Sequence, residues 1–402
     1  MTLTERPAAR RSAIPHGPAF WIVATAFLAV MAFSTVPTPI YAFYQRRDAF
    51  PTWMITVIFA VYAIGVVASL LLVGHLSDWF GRRRMALIAV LLELVAAVVF
   101  IVWPDVPGLL IARLVSGIGV GALTAAATAH LAELRAIARP DRVGVAGLVS
   151  TVVNTGGLAL GPLIAGVIVT FLPAPLVTPY AVFALVLAVL GVLTALVPET
   201  VLPPEHRPAY RPQRPSIPSG ERGAFVAAGV AAFTGFAVFG FSTSLTPTVI
   251  AVTMGVHSPL LAGVATFVVF ASAALSQIAL ARVSSERQRT IAIVAIVVGL
   301  ALFALSAAFG ILSVFLVGGI VVGGGIGLLF RGAISTAAAL APADHRSEVL
   351  ASMFLIAYVG LTIPVLLIGV ALSLLPAVPV IVGFAIVVVL LTLAAGWRMR
   401  RS

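Results

Sequence analysis

The chain has 402 residues, of which 61% are hydrophobic and 9% charged, with a mean hydropathy of +1.17 and a formal net charge of +11. Soluble domains carry roughly 25% charged residues, so a chain this apolar cannot cover its surface in water and needs lipid as its main solvent. It has no Cys, and its 24 basic residues are all Arg, which excludes disulfides, thiolate metal sites, Cys nucleophiles, Schiff-base lysines and P-loops.

A membrane-crossing helix needs about 20 mostly apolar residues. Twelve such runs are predicted. In the first half they cover 19–43, 52–73, 85–103, 107–130, 143–171 and 175–197, and in the second 223–250, 259–281, 290–308, 311–340, 348–374 and 377–397. Arg6, Arg10 and Arg11 precede the first run as in a secretory signal. The run from Ala19 to Tyr41 is too long for a signal core, so it reads as an uncleaved first span. The segment from Glu199 to Arg222 holds six prolines. Proline lacks an N–H and clashes with the preceding helical turn, so this stretch is a linker. The expected organisation is a six-helix bundle over 1–198, a Pro/Arg-rich linker over 199–222 and a second six-helix bundle over 223–402.

An even number of spans puts both termini on one face. The termini, the linker and the loops of that face hold 20 of the 24 Arg, the opposite loops only Arg46 and Arg47, and Arg113 and Arg331 fall inside spans. That bias places both termini in the cytoplasm. The charge therefore orients a membrane protein; it forms no soluble basic face for nucleic acid.

The halves repeat each other. FSTVPTP from Phe33 to Pro39 returns as FSTSLTP from Phe241 to Pro247. Gly117, Gly119 and Gly121 in span four return as Gly323, Gly325 and Gly327 in span ten, and Arg83 and Arg142 return as Arg289 and Arg346. Parallel six-helix repeats with a site between them near the bilayer midplane are a transporter architecture.

Three motifs sharpen this. The loop after span two reads GHLSDWFGRRRM, from Gly74 to Met85. Gly74 and Gly81 permit tight reversals, and Asp78 and Arg82 stand four apart, where they can pair. Span four reads LLIARLVSGIGVGA, in which Gly117 and Gly121 form a small-residue packing pair and Arg113 is a costly intramembrane charge. Span five reads GLALGPLIAG. Gly157 and Gly161 share a face with Ala165, and Pro162 removes a backbone bond and bends the helix. Together these stretches resemble the signatures of the major facilitator superfamily, and the last resembles the motif of its drug–proton antiporters. Trp79 stands where the first signature has a basic residue, Ser116 where the second has Gln, and Ala165 where the third has Gly.

The resemblance covers the whole chain. It implies an all-α membrane protein with twelve transmembrane helices in two pseudo-symmetric six-helix bundles, a monomer without cofactors, in a bacterial cytoplasmic membrane. It implies that the first loop latches the two halves and that Arg113 serves proton coupling or polarises a carboxylate. It also implies that Glu133 joins the Asp78 and Arg82 charge network. Glu93, in the middle of span three, can carry a proton or pair with a neighbouring helix. Arg331 has no first-half counterpart and can bind an anionic substrate or neutralise a carboxylate.

Span one has no acid, which argues against a cationic drug. It offers Thr35, Thr38 and Tyr41, while span seven offers Phe239, Thr243 and Thr246. Tyr62, Asn154, Gln277 and Tyr358 complete the expected substrate contacts, although a single Thr in a helix commonly bonds back to its own backbone. Aromatics, hydroxyls and few charges suit a neutral or amphiphilic small molecule. The expected activity is proton-coupled efflux of small apolar or amphiphilic compounds, with uptake symport of a nutrient such as a sugar or organic acid as the alternative. No Ser/His/Asp set, metal-ligand spacing or cofactor loop marks an enzyme.

Overall fold

A computed structural model describes residues 14–73, 76–142, 144–201, 222–341 and 346–398, apart from the side chains of Asp78, Arg346 and Ser347. Gly74 and nearly all of the expected linker lie outside the described residues. Lipid offers no hydrogen bonds, so each apolar run must satisfy its backbone internally, and a helix does so. The first half comprises α1 (His16–Thr35), α2 (Tyr41–Asp48), α3 (Thr52–Leu72), α4 (Ser77–Phe80), α5 (Arg82–Val102), α6 (Val106–Ala138), α7 (Gly144–Phe171) and α8 (Thr178–Ala195). The second comprises α9 (Arg222–Ser244), α10 (Thr246–Met254), α11 (Pro259–Ala279), α12 (Ser285–Phe309), α13 (Leu312–Leu340), α14 (Arg346–Leu374) and α15 (Ala377–Arg398). Among the described residues these give 12 helical spans long and apolar enough to cross a membrane. Their outer faces leave large apolar side chains such as Leu91, Leu185, Val192, Leu367 and Leu390 exposed, as a lipid-facing surface does.

The repeated phrase is a helix break. In the first span α1 ends at Thr35, a 3-10 turn runs over Thr38–Ile40 and α2 follows. In the seventh, α9 ends at Ser244 and α10 begins at Thr246. Pro37, Pro39 and Pro247 withhold the N–H groups that would carry the ladder through.

The glycine triplets repeat as contacts. Gly117 and Gly121 lay the backbone of α6 against the Tyr62 and Val66 carbonyls of α3, while Gly119 faces α5 at the Ala89 carbonyl. Gly323 and Gly327 lay α13 against the Val269 and Ala273 carbonyls of α11, while Gly325 faces the Ala292 carbonyl of α12. A side chain at any of these would force the helices apart.

The halves meet through α7 on α11 and α3 on α14. Gly263 of α11 seats on Pro162 of α7, and Gly369 of α14 seats on Thr56 of α3. Gly263 and Thr56 are 207 positions apart, as are Gly369 and Pro162, so this is one contact made twice. All four lie toward the face opposite the termini. Pro162 sits inside a helix that continues to Phe171, and its neighbours Gly157 and Gly161 pack on α1 at Leu28, Met31, Ala32 and Thr35.

Candidate functional site

Between the halves lies a cavity of about 420 Å³. It reaches from Ser34, Arg113, Thr243 and Leu361 toward the termini face at Thr128, Ser150, Gln277 and Phe354. Its two walls differ. The first half contributes most of the hydroxyls and an amide, including Thr124, Thr128, Ser150, Thr151, Asn154 and Thr155, beside the Phe59 and Tyr62 rings. The second contributes most of the rings, Phe236, Phe239, Phe270, Phe330, Phe354 and Tyr358, beside Thr243 and Gln277. Phe239 stacks on Phe270 with centroids 4.4 Å apart, and Phe236 contacts Phe330 at 4.9 Å and Tyr358 at 5.5 Å.

The expected substrate residues divide. Thr35, Tyr62, Asn154, Phe239, Thr243, Gln277, Arg331 and Tyr358 all line the cavity. Thr38, Tyr41 and Thr246 do not; they are buried in packing beyond its closed end. The break at the prolines turns them out of register with Thr35 and Thr243. Thr35 Oγ1 donates to the Ala32 carbonyl at 3.0 Å and the Leu158 carbonyl at 3.1 Å, and Thr243 Oγ1 to the Phe239 carbonyl at 2.7 Å. Their hydroxyl protons are thus spent on backbone.

Two guanidinium groups reach the cavity. Arg113 is 1% exposed; its Nη1 donates to the Ser34 carbonyl at 2.6 Å, and its Cζ lies 4.3 Å from the Tyr62 ring centroid. A carbonyl freed near the helix break and a π face thus solvate a charge that the membrane penalises. Arg331 is half-buried, and its Nη1 donates to the Gln277 carbonyl at 2.7 Å. Glu93 is fully buried on α5 beside Gly119 and does not line the cavity; neither carboxylate oxygen meets a donor among the described residues. It forms no ion pair with Arg113.

A second polar cluster sits at the termini face. Arg82 pairs with Glu133 at 3.2 Å and donates from Nη1 to Ser77 Oγ at 2.6 Å. The Arg82 backbone N–H donates to Glu199 Oε1 at 2.8 Å, and Thr200 Oγ1 donates to Glu133 Oε2 at 2.5 Å. Buried His130 meets the Pro198 carbonyl through Nε2 at 3.1 Å. Gly81 has φ of +98°, and a side chain there would strike the Glu199 carboxylate. Sequence reasoning expected Arg82 with Glu133 but assigned Glu199 to the linker. In the structure Glu199 caps the first turn of α5, where a helix N-terminus favours an anion. The demand for glycine at 81 was the available signal. The Asp78 side chain lies outside the described residues.

Twelve spans, a doubled six-helix plan and a cavity between the halves define the class of membrane carriers built on inverted or parallel repeats. A family model described as Major Facilitator Superfamily matches residues 49–363, and the chain belongs to that family. Locally it is 30% identical over 115 residues to a D-xylose transporter of Levilactobacillus brevis, covering 28% of this chain and 24% of that protein. It is 37% identical over 70 residues to an arabinose-proton symporter of Bacillus subtilis strain 168, covering 17% of this chain and 15% of the other. These matches thus span a quarter or less of the relatives' length. Among solved structures, the nucleoside transporter NupG superposes with a TM-score of 0.68 at 13% identity, over 95% of this chain and 99% of that one. The human organic anion transporter MFSD10 superposes with a TM-score of 0.67 at 17% identity, over 96% and 100%. At such identities the likeness is one of fold.

Proposed function

We propose that this protein is a proton-coupled secondary transporter that moves a small organic solute by alternating access, in a bacterial cytoplasmic membrane with both termini inside. The observation that carries the reading is the cavity of about 420 Å³ between two halves that seat on each other toward the opposite face. That volume lies in the range of small-molecule sites. With the Arg-rich face in the cytoplasm, the cavity reaches toward the cytoplasm and the closed contacts face outward. Rocking the halves about the cavity would reverse this.

Uptake is the better supported direction, because both local relatives are sugar carriers and one is a proton symporter. Export of apolar compounds is the second reading, favoured by the pattern from Gly157 to Gly166. The structure spends Gly157 and Gly161 on packing against α1, a role that serves either direction. Proteoliposomes holding a pH-sensitive dye under an imposed proton gradient separate the readings. Proton movement in the same direction as D-xylose, uridine or benzoate is expected for uptake. Countermovement of protons set off by lipophilic drugs overturns it in favour of export, and solute flux indifferent to the gradient removes the proton.

A further inference from the structure

We propose, resting on the transporter reading above, that the solute is an organic anion whose acidic group is held by Arg331 and whose apolar body lies against the aromatic wall. The lining of the cavity contains two guanidinium groups and no Asp or Glu among the described residues. An uncompensated charge at membrane depth is costly, and in a low-dielectric cavity two of them create a strong positive potential. Arg113 is engaged by the Ser34 carbonyl and the Tyr62 ring and is almost wholly covered. Arg331 is placed differently. It is half-buried, one of its nitrogens meets the Gln277 carbonyl, and its Nε and Nη2 have no protein partner among the described residues. A guanidinium presents several donors in a rigid fork, so those left over fit one carboxylate or phosphate-like group.

The walls specify the rest of the molecule. Phe330 precedes Arg331 in the chain and packs on Phe236, which also touches Tyr358. A flat apolar body set beside the Arg331 fork meets ring faces there. Across the cavity Asn154 and Thr155 are half-buried, and their side chains make no hydrogen bond to the protein among the described residues. They are placed to meet a polar edge on the solute's other side. An inorganic anion would satisfy Arg331 but leave the aromatic wall without a partner, so the occupant is organic.

The test is calorimetry and thermal shift on the purified full chain, with acetate, benzoate, 1-naphthoate and the neutral 1-naphthamide as probes. The expected result is affinity that rises from acetate to naphthoate, with the amide weaker by about tenfold or more, the value of a charge-assisted contact. Arg331→Gln is expected to remove the preference of acid over amide, and Arg331→Lys to keep part of it, while Asn154→Ala leaves that preference in place. If Arg331→Gln fails to fold, the acid–amide comparison in the wild type decides alone. Naphthamide binding as tightly as naphthoate, or acetate binding as tightly as naphthoate, overturns the proposal. So does D-xylose or uridine binding that naphthoate does not displace, or no binding by any acid of the series. Those outcomes leave the transporter reading standing, because that reading is judged separately by whether closing one face arrests flux.

Discussion

A buried carboxyl group whose oxygens make no hydrogen bond among the described residues, in a helix that faces lipid on one side and α6 on the other, is hard to explain as packing. Glu93 is such a group. Leucine would fill the place at less cost, since burying an unpartnered polar group costs about 1–3 kcal/mol and an ionised one more. If Glu93 is the proton carrier, its proton must leave through a rearrangement of α5 against α6, because the cavity in this conformation does not reach it. Glu93→Gln keeps the shape and removes the titration. Solute exchange down its own gradient is then expected to persist, while accumulation driven by a proton gradient falls to equilibrium. Undiminished accumulation would leave Glu93 a structural residue. Arg113, Arg331 and Glu93 were all legible in the sequence, because a charge in an apolar run is conspicuous. Glu199 was not, because it lies in a polar segment where a carboxylate attracts no notice. Its partner is the backbone of a helix more than a hundred positions earlier. Thr38, Tyr41 and Thr246 were misplaced for a geometric reason: helical period carries a face only along an unbroken helix, and the prolines interrupt it.

At the scale of elements, close backbone approach carries the packing. Gly327 lies so near the Ala273 carbonyl that a methyl group cannot enter without moving α13 from α11, whereas Gly332, five positions on, has open space around it. Gly327→Ala is expected to destabilise by about 1–3 kcal/mol, the usual cost of overpacking, and Gly332→Ala, in open space inside the same helix, to keep or raise stability by up to about 1 kcal/mol, since alanine is the better helix former. Thermal unfolding in one detergent compares them. Equal melting points would mean that the bundle yields at this seam and that the doubled glycine triplet is not a packing device. The spans themselves were legible, since lipid enforces their length and hydropathy. Their ends were not. The sixth helix runs to Ala138, eight residues past the predicted apolar run, and carries His130 and Glu133 into the termini-face cluster. Hydropathy marks where the bilayer stops, whereas the hydrogen-bond ladder continues into water wherever nothing breaks it. The contrast between a hydroxyl wall and an aromatic wall was also hidden. It depends on which faces the two bundles turn toward each other, and that no single span reveals.

For the whole molecule the proposed alternating access requires that the halves part on one face and close on the other. The chain is suited to a direct test, because it has no native cysteine to interfere. A Cβ at position 369 would stand 3.0 Å from the Thr56 Cβ, across the junction of α3 and α14. Disulfide Cβ atoms sit about 3.8 Å apart, so Thr56→Cys with Gly369→Cys needs only a small parting of the helices. The bridge would tie the halves at the face opposite the termini and hold the cavity toward the termini. Oxidation is expected to stop solute exchange in proteoliposomes and reduction to restore it, with neither treatment affecting the wild type. A cysteine at Asn154 should stay reactive to a charged maleimide from the termini face throughout, because the bridge traps the conformation in which that position lines the cavity. Exchange that continues with the bridge fully formed would mean that the two halves need not separate at that face. Solute would then have to pass by a route other than the one between them, and alternating access about this cavity would fail as the mechanism.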